Sequence, residues 1–138
     1  MISIEYKDKL DEDDYNFIGL EFEKYAEKNG IKCDYKSFLF TAKEEDRTIG
    51  MLAGNTYYKE VHIGDIIVIE EYRNKHIGSK LIAQVEEFYR NKGFDNINLT
   101  TYGFQALDFY KKCGYELEFT RENKDNPKLN KHYLVKFF

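Results

Sequence analysis

Arg73-Asn74-Lys75-His76-Ile77-Gly78-Ser79-Lys80 carry the clearest chemical signal in the chain. They join a β-branched run, Ile63-Gly64-Asp65-Ile66-Ile67-Val68-Ile69, to an amphipathic segment from Ile77 to Lys92. A strand that turns directly into a helix presents several backbone N–H donors at the positive end of the helix dipole. That arrangement suits an anion, a phosphate above all. Arg73, Lys75 and Lys80 add positive charge beside those donors. The plain alternative is a strand-to-helix turn with solvated basic side chains. Asp65 is a second candidate, because it interrupts the apolar run. An acid desolvated by apolar neighbours would be suited to accept a proton or to bind an ammonium ion. Its plain alternative is a carboxylate on a solvated face.

These residues need a scaffold, and the hydrophobic pattern supplies one. Ile2 to Tyr6 alternates as a strand does. Asp11 to Asn29 reads as a helix, with acidic Asp11 to Asp14 at its positive end, Ile18, Phe22, Tyr25 and Ala26 on one face, and Gly30 to stop it. Strands follow at about Ser37 to Lys43 and Thr48 to Tyr57, with the charged turn Glu44-Glu45-Asp46-Arg47 between them. The next strand, about Glu60 to Ile69, feeds the basic turn. In the helix behind it, Ile77, Leu81, Val85 and Phe88 recur at helical spacing. Asn96 to Thr101 is a short strand. Gln105 to Cys113 is a short helix with Ala106, Phe109, Tyr110 and Cys113 on one face, ended by Gly114. Tyr115 to Arg121 and His132 to Phe137 close as strands. The polar stretch Glu122 to Lys131, with the single proline Pro127, reads as a loop. The order β-α-β-β-β-α-β-α-β-β predicts an α/β (α+β) fold, a central mixed sheet with helices on its faces. Three successive strands exclude a uniform doubly wound sheet.

Composition narrows the function. The chain has 138 residues, enough for one domain with a hydrophobic core. A net charge of −4 gives no general support for nucleic acid as a partner. No apolar run approaches a bilayer span, so no membrane partner is expected. The start, Met1-Ile2-Ser3-Ile4-Glu5, lacks the basic and apolar regions of a secretory signal, which points to a cytoplasmic location. Cys33 and Cys113 form no CxxC or Cys/His cluster, and no metal site is expected. His132 has no partner at ligand spacing. Gly78-Ser79-Lys80 is not a P-loop, and no G-x-G-x-x-G follows the first strand, which removes the kinase and dehydrogenase readings.

The element order and two motifs resemble the GNAT superfamily of acetyl-coenzyme-A-dependent N-acetyltransferases. The family signature Q/R-x-x-G-x-G/A stands here as Arg73-Asn74-Lys75-His76-Ile77-Gly78. An aromatic pair before a glycine stands as Phe109-Tyr110-Lys111-Lys112-Cys113-Gly114. Phe104-Gln105-Ala106-Leu107-Asp108-Phe109-Tyr110 is similar to the FQA-x-x-FY segment of small bacterial members. The likeness is strong from Asp65 to Tyr115 and rests on element order elsewhere. It implies a GNAT-like, mostly antiparallel sheet of about six or seven strands with helices on both faces. Two departures stand out. His76 replaces the first motif glycine; histidine is among the few other residues enriched at positive φ. Gly103 replaces an asparagine that many members carry three residues before the alanine matching Ala106, which removes one expected hydrogen bond to pantetheine.

The resemblance implies acetyl-CoA as co-substrate. Its pyrophosphate would be held by main-chain amides of Arg73, Asn74, Lys75, His76, Ile77, Gly78 and Ser79. Ser79 could add a hydroxyl donor, and Lys80 could meet the ribose phosphate. The pantetheine arm would lie along the open edge of Ile66, Ile67 and Val68, with the Val68 N–H polarising the thioester carbonyl. Tyr110 matches the family tyrosine that protonates the departing thiolate. Asp65 is the first choice of base, with Glu60, His62 and Glu70 behind it. Asn55 and Tyr57 end a strand that helps line the acceptor pocket in relatives. The implied reaction is acetyl transfer to a primary amine of a small molecule. A non-catalytic acyl-CoA sensor and a protein or peptide acetyltransferase are the alternatives. Homodimers are common among members.

Overall fold

Ile2, Ile4 and Tyr6 alternate in sequence but form no strand; all three are exposed and no β-ladder includes them. Alternation shows which side of a strand could be buried, but a strand also needs a partner for its N–H and C=O groups. The computed structural model describes residues 1–138 as two compact units, Met1–Asp34 and Tyr35–Phe138.

The first unit is built on helix α1, Glu12–Lys28. Its start is set by a reciprocal cap: Asp14 N–H donates to the Asp11 carboxylate at 2.9 Å, and Asp11 N–H donates to the Asp14 carboxylate at 2.9 Å. Three acidic residues in the first turn face the positive dipole end. Gly30, at φ +71°, ends it.

In the second unit the expected order holds. Strands β1 (Tyr35–Glu44), β2 (Arg47–Tyr57) and β3 (Glu60–Val68) run as an antiparallel meander. The first hairpin turns at Glu45-Asp46, where Glu45 takes φ +54°. Helix α2 (Ile77–Tyr89), β4 (Asn96–Tyr102), α3 (Leu107–Lys112), β5 (Glu116–Arg121) and β6 (Lys131–Phe137) follow. The six strands lie in the order β1-β2-β3-β4-β6-β5, and every neighbouring pair is antiparallel except β3 with β4. The predicted loop 122–131 holds one short turn of 3₁₀ helix, Pro127–Leu129, capped by Asn126.

One buried cluster unites Leu52, Val61 and Ile63 with Leu81, Ile82 and Val85 of α2, Ile97 and Leu99 of β4, Tyr110 of α3 and Leu134 of β6. Of the helices expected on both faces, α2 and α3 therefore sit on the same one. Fully burying a side chain of this size contributes about 1.5–3 kcal/mol, so this cluster dominates the unit's cohesion. At its margin Lys136 Nζ donates to Glu86 Oε1 and to Cys113 O, each at 3.0 Å, which ties β6 to both helices. No helix is long and apolar enough to cross a membrane.

Candidate active site

The sheet parts in the middle. β3 and β4 pair only at Glu60–Asn96, Val61–Ile97 and His62–Asn98. Beyond that rung, Ile66, Ile67 and Val68 keep their β2 partners Leu52, Met51 and Gly50 but have none on the β4 side. Ile69 N–H donates to Ile49 O of β2 at 3.0 Å. Amides alternate along a strand, so the Val68 N–H faces the opposite, open edge. The Val68 carbonyl faces it too, and it accepts a hydrogen bond from Arg73 Nε at 2.9 Å. Sequence reasoning expected a free edge at these residues, and this is one.

That edge runs into the basic turn. A 3₁₀ turn, Glu70–Tyr72, leads to Asn74 at φ +61° and His76 at φ +65°. His76 is the N-cap of α2, so the histidine in the motif does occupy a left-handed position. The first amide of this segment to close a helical bond is Lys80, on His76 O at 3.1 Å. The amides from Asn74 to Ser79 donate to no protein acceptor. Six free donors at a helix start, two of them on left-handed residues, are the arrangement that suits an anion, an amide cradle. The Arg73 amide, expected among them, instead donates to Glu70 O at 3.2 Å. Ser79 also departs from expectation: its hydroxyl donates to His76 O at 3.0 Å, which braces the turn. Lys75 Nζ sits over the Tyr72 ring at 5.0 Å, while Lys80 is exposed.

Tyr110 points from α3 into the core, with its ring buried against Phe109 and Tyr115. Its hydroxyl has no protein partner, yet it is not a buried unpaired atom, so the oxygen retains solvent access. Burial of the ring, followed by the nearby Cys113 thiol, pushes its pKa up to about 12. The phenol therefore stays protonated and able to donate at any ordinary pH. Burial, then the Glu86 carboxylate, raises the Cys113 thiol, which keeps it from acting as a thiolate nucleophile.

Asp65 is exposed, so the desolvation expected from its apolar neighbours is absent. The reason is a bulge in β3: Ile63 opposes Gly54 and Asp65 opposes Ala53, which leaves Gly64 as the extra residue. The bulge also returns Asp65 to the face that His62 shares with its partner Asn55. Tyr57 lies on that face as well, its ring 6.4 Å from the His62 ring. The structure thus brings Asn55, Tyr57, His62 and Asp65 together beside the fork. Glu70 lies apart from this face, in the 3₁₀ turn.

Sequence reasoning missed Asn96 and Asn98. His62 Nδ1 lies 2.7 Å from Asn98 Oδ1; Asn98 Nδ2 donates to Asn96 Oδ1 at 2.9 Å; Asn96 Nδ2 donates to Glu60 Oε1 at 3.2 Å. The only signal available in the sequence was the alternation Asn96-Ile97-Asn98-Leu99, two amides interleaved with two aliphatic residues. Gly103 has a structural reason as well. A Cβ there would lie 2.6 Å from Pro127 O, because the 122–131 loop closes on this segment through Gly103 N–H to Asn130 O and Phe104 N–H to Lys128 O. No three His, Cys, Asp or Glu side chains gather as a metal site would require.

Comparison with known proteins agrees with this geometry. Residues 5–115 match the model of the acetyltransferase (GNAT) family. Blasticidin-S acetyltransferase of Streptomyces morookaense is 30% identical over 98 residues, covering 70% of this chain and 71% of that protein. Among solved structures, an acetyltransferase from Bacillus cereus superposes with a TM-score of 0.76 at 23% identity, over 97% of this chain and 98% of that one. An aminoglycoside 6'-N-acetyltransferase complexed with coenzyme A superposes with a TM-score of 0.61 at 17% identity, over 73% and 72%. The chain belongs to the acetyltransferase (GNAT) family. It is an acetyl-CoA-dependent N-acetyltransferase.

Proposed function

We propose that this enzyme moves the acetyl group of acetyl-CoA directly to a primary amine of a small, cationic molecule, such as a polyamine or a basic antibiotic. The observation that carries this reading is the open edge of β3 running into six free amides at the start of α2. The amides from Asn74 to Ser79 take the pyrophosphate, and the arm of the co-substrate lies along Ile66 to Val68. The Val68 N–H stabilises charge developing on the thioester oxygen, a contribution of the size lost when one oxyanion donor is removed, about 2.7–4 kcal/mol. Tyr110 protonates the departing thiolate. Asn55 and Tyr57 line the acceptor side, and Asp65, exposed on the same face, draws in the ammonium group. The likeness to a protein named for acetylating blasticidin S supports an antibiotic amine. The net charge of −4 supports a cationic acceptor and counts against nucleic acid. The family match crosses the boundary between the two units, which supports one acetyltransferase domain over residues 1–138.

A panel of primary amines, incubated with acetyl-CoA while free thiol is followed, tests the reading. Thiol release with at least one polyamine or antibiotic amine is the expected result. Acetyl-CoA binding by calorimetry without thiol release from any amine would instead assign the chain to acyl-CoA sensing.

A further inference from the structure

We propose that His62 is the general base of the transfer, and that Glu60, Asn96 and Asn98 are positioning residues that fix its tautomer. This rests on the N-acetyl-transfer reading above.

The direction of the hydrogen-bond chain is set from one end. A carboxylate only accepts, so Asn96 must turn its NH₂ toward Glu60 Oε1. Asn96 Oδ1 then faces Asn98 and accepts from its NH₂. Asn98 is thereby left with its carbonyl oxygen toward His62, 2.7 Å from Nδ1. That oxygen can only accept, so the proton of neutral His62 resides on Nδ1. The lone pair is on Nε2, at the opposite corner of the ring. An acceptor–histidine pairing of this kind holds the imidazole in one tautomer and one orientation, as a base requires.

Position supports the same role. His62–Asn98 is the last rung before β3 and β4 part, so the ring stands where the open edge begins. It is half-buried, flanked by Asn55 and Tyr57 of β2. Asn96 is buried, and the network leaves no buried side-chain polar atom unpaired. Asn96 is costly to hold at its buried position unless its amide is satisfied, and here both of its links are made, to Glu60 and to Asn98. Asp65, in contrast, is exposed and held by no hydrogen bond.

The chemistry balances. His62 Nε2 takes one proton from the incoming ammonium ion. The freed amine nitrogen forms the C–N bond to the thioester carbonyl. The nitrogen then loses a second proton as the C–S bond breaks; the thiolate takes a proton from Tyr110, and the second nitrogen proton restores the phenol through solvent. The products are the amide, the free thiol of coenzyme A and one proton, released from His62.

The test uses the full chain and whichever primary amine the screen selects. His62→Gln should lower kcat at least about 10²-fold, the scale of a lost general base. Its calorimetric affinity for acetyl-CoA should stay within about twofold of wild type, because the ring is not in the amide cradle. The acid limb of the kcat/KM profile should vanish. The titratable groups facing the ring are Glu60 and Asp65 on its own strand and Tyr57 on β2; β4 presents only amides. Asp65→Asn is therefore the control, and it should keep the limb. Asn98→Ala should keep the fold while ¹⁵N-detected imidazole spectra change from one tautomer, protonated at Nδ1, to a mixture. Retention of the acid limb in His62→Gln, its loss in Asp65→Asn, or a wild-type ring protonated at Nε2 would overturn the assignment. A wild-type enzyme that binds acetyl-CoA but acetylates no amine would remove the transfer reading itself and the base role with it, a result visible before any variant is compared.

Discussion

A Cβ placed on Gly78 would lie 3.3 Å from Phe109 Cζ and 3.7 Å from its Cε1. The signature turn and the aromatic pair, far apart in sequence, thus touch in space. The start of α2 is seated on α3 through the bare face of a glycine. Gly78→Val should push the two helices apart, with an overpacking cost of about 1–3 kcal/mol. Because the same residue lies in the amide cradle, affinity for coenzyme A should fall along with the urea midpoint. Gly78→Ala, adding one carbon at a tight contact, should show a smaller version of both changes.

Tyr110→Phe should lower kcat by about 10²-fold or more while leaving acetyl-CoA affinity nearly unchanged. The same variant reports on stability at alkaline pH. Burial raises the phenol above its ordinary value of 10.0 to about 12 in the folded chain. The folded state therefore holds this proton more tightly than the unfolded chain. The stabilisation is fully present below pH 10 and is lost as pH rises toward 12. Wild type should lose roughly 2–3 kcal/mol more than Tyr110→Phe across that interval, read from urea unfolding.

Gly103→Asn, which restores the residue many relatives carry, should destabilise this chain. Its Cβ would meet Pro127 O at 2.6 Å, so the 3₁₀ turn must move and the backbone bonds to Asn130 and Lys128 must stretch. A fall in Tm with faster proteolysis within residues 122–131 is the expected outcome.

His76→Gly should raise stability by a few tenths to about 1 kcal/mol, because glycine adopts φ +65° without the steric cost a side chain bears there. Affinity for coenzyme A should hold, since the cradle at this position is a main-chain amide. A lower urea midpoint would mean that the imidazole makes a contribution beyond its backbone.

The elements around the turn were legible because each has a local cause. The β-branched run makes β3, the apolar spacing from Ile77 makes α2, and Gly114 stops α3 at φ +94°. Six of the seven amides expected at the turn, Asn74 to Ser79, were legible for the same reason, since a strand-to-helix turn exposes them whatever the side chains; the Arg73 amide was not, because the 3₁₀ turn takes it up through Glu70 O. What could not be read depends on register between strands distant in sequence. The bulge at Gly64, which returns Asp65 to the face of His62 and leaves it exposed, exists only once β2 is paired with β3. The Glu60-Asn96-Asn98-His62 chain likewise exists only once β3 lies parallel to β4. Ile2 to Tyr6 failed in the opposite direction, because its pattern suited a strand and no ladder includes it.

The β-ladder between the meander β1-β2-β3 and the trio β4-β6-β5 has only three rungs. Backbone cohesion across the sheet is therefore thinnest along one seam. A thioester carrier whose amides lie along that seam acts as a missing strand and as mortar between the halves. The enzyme should melt at higher temperature as acetyl-CoA concentration rises, following mass action. Slower amide exchange should appear first on both banks of the seam.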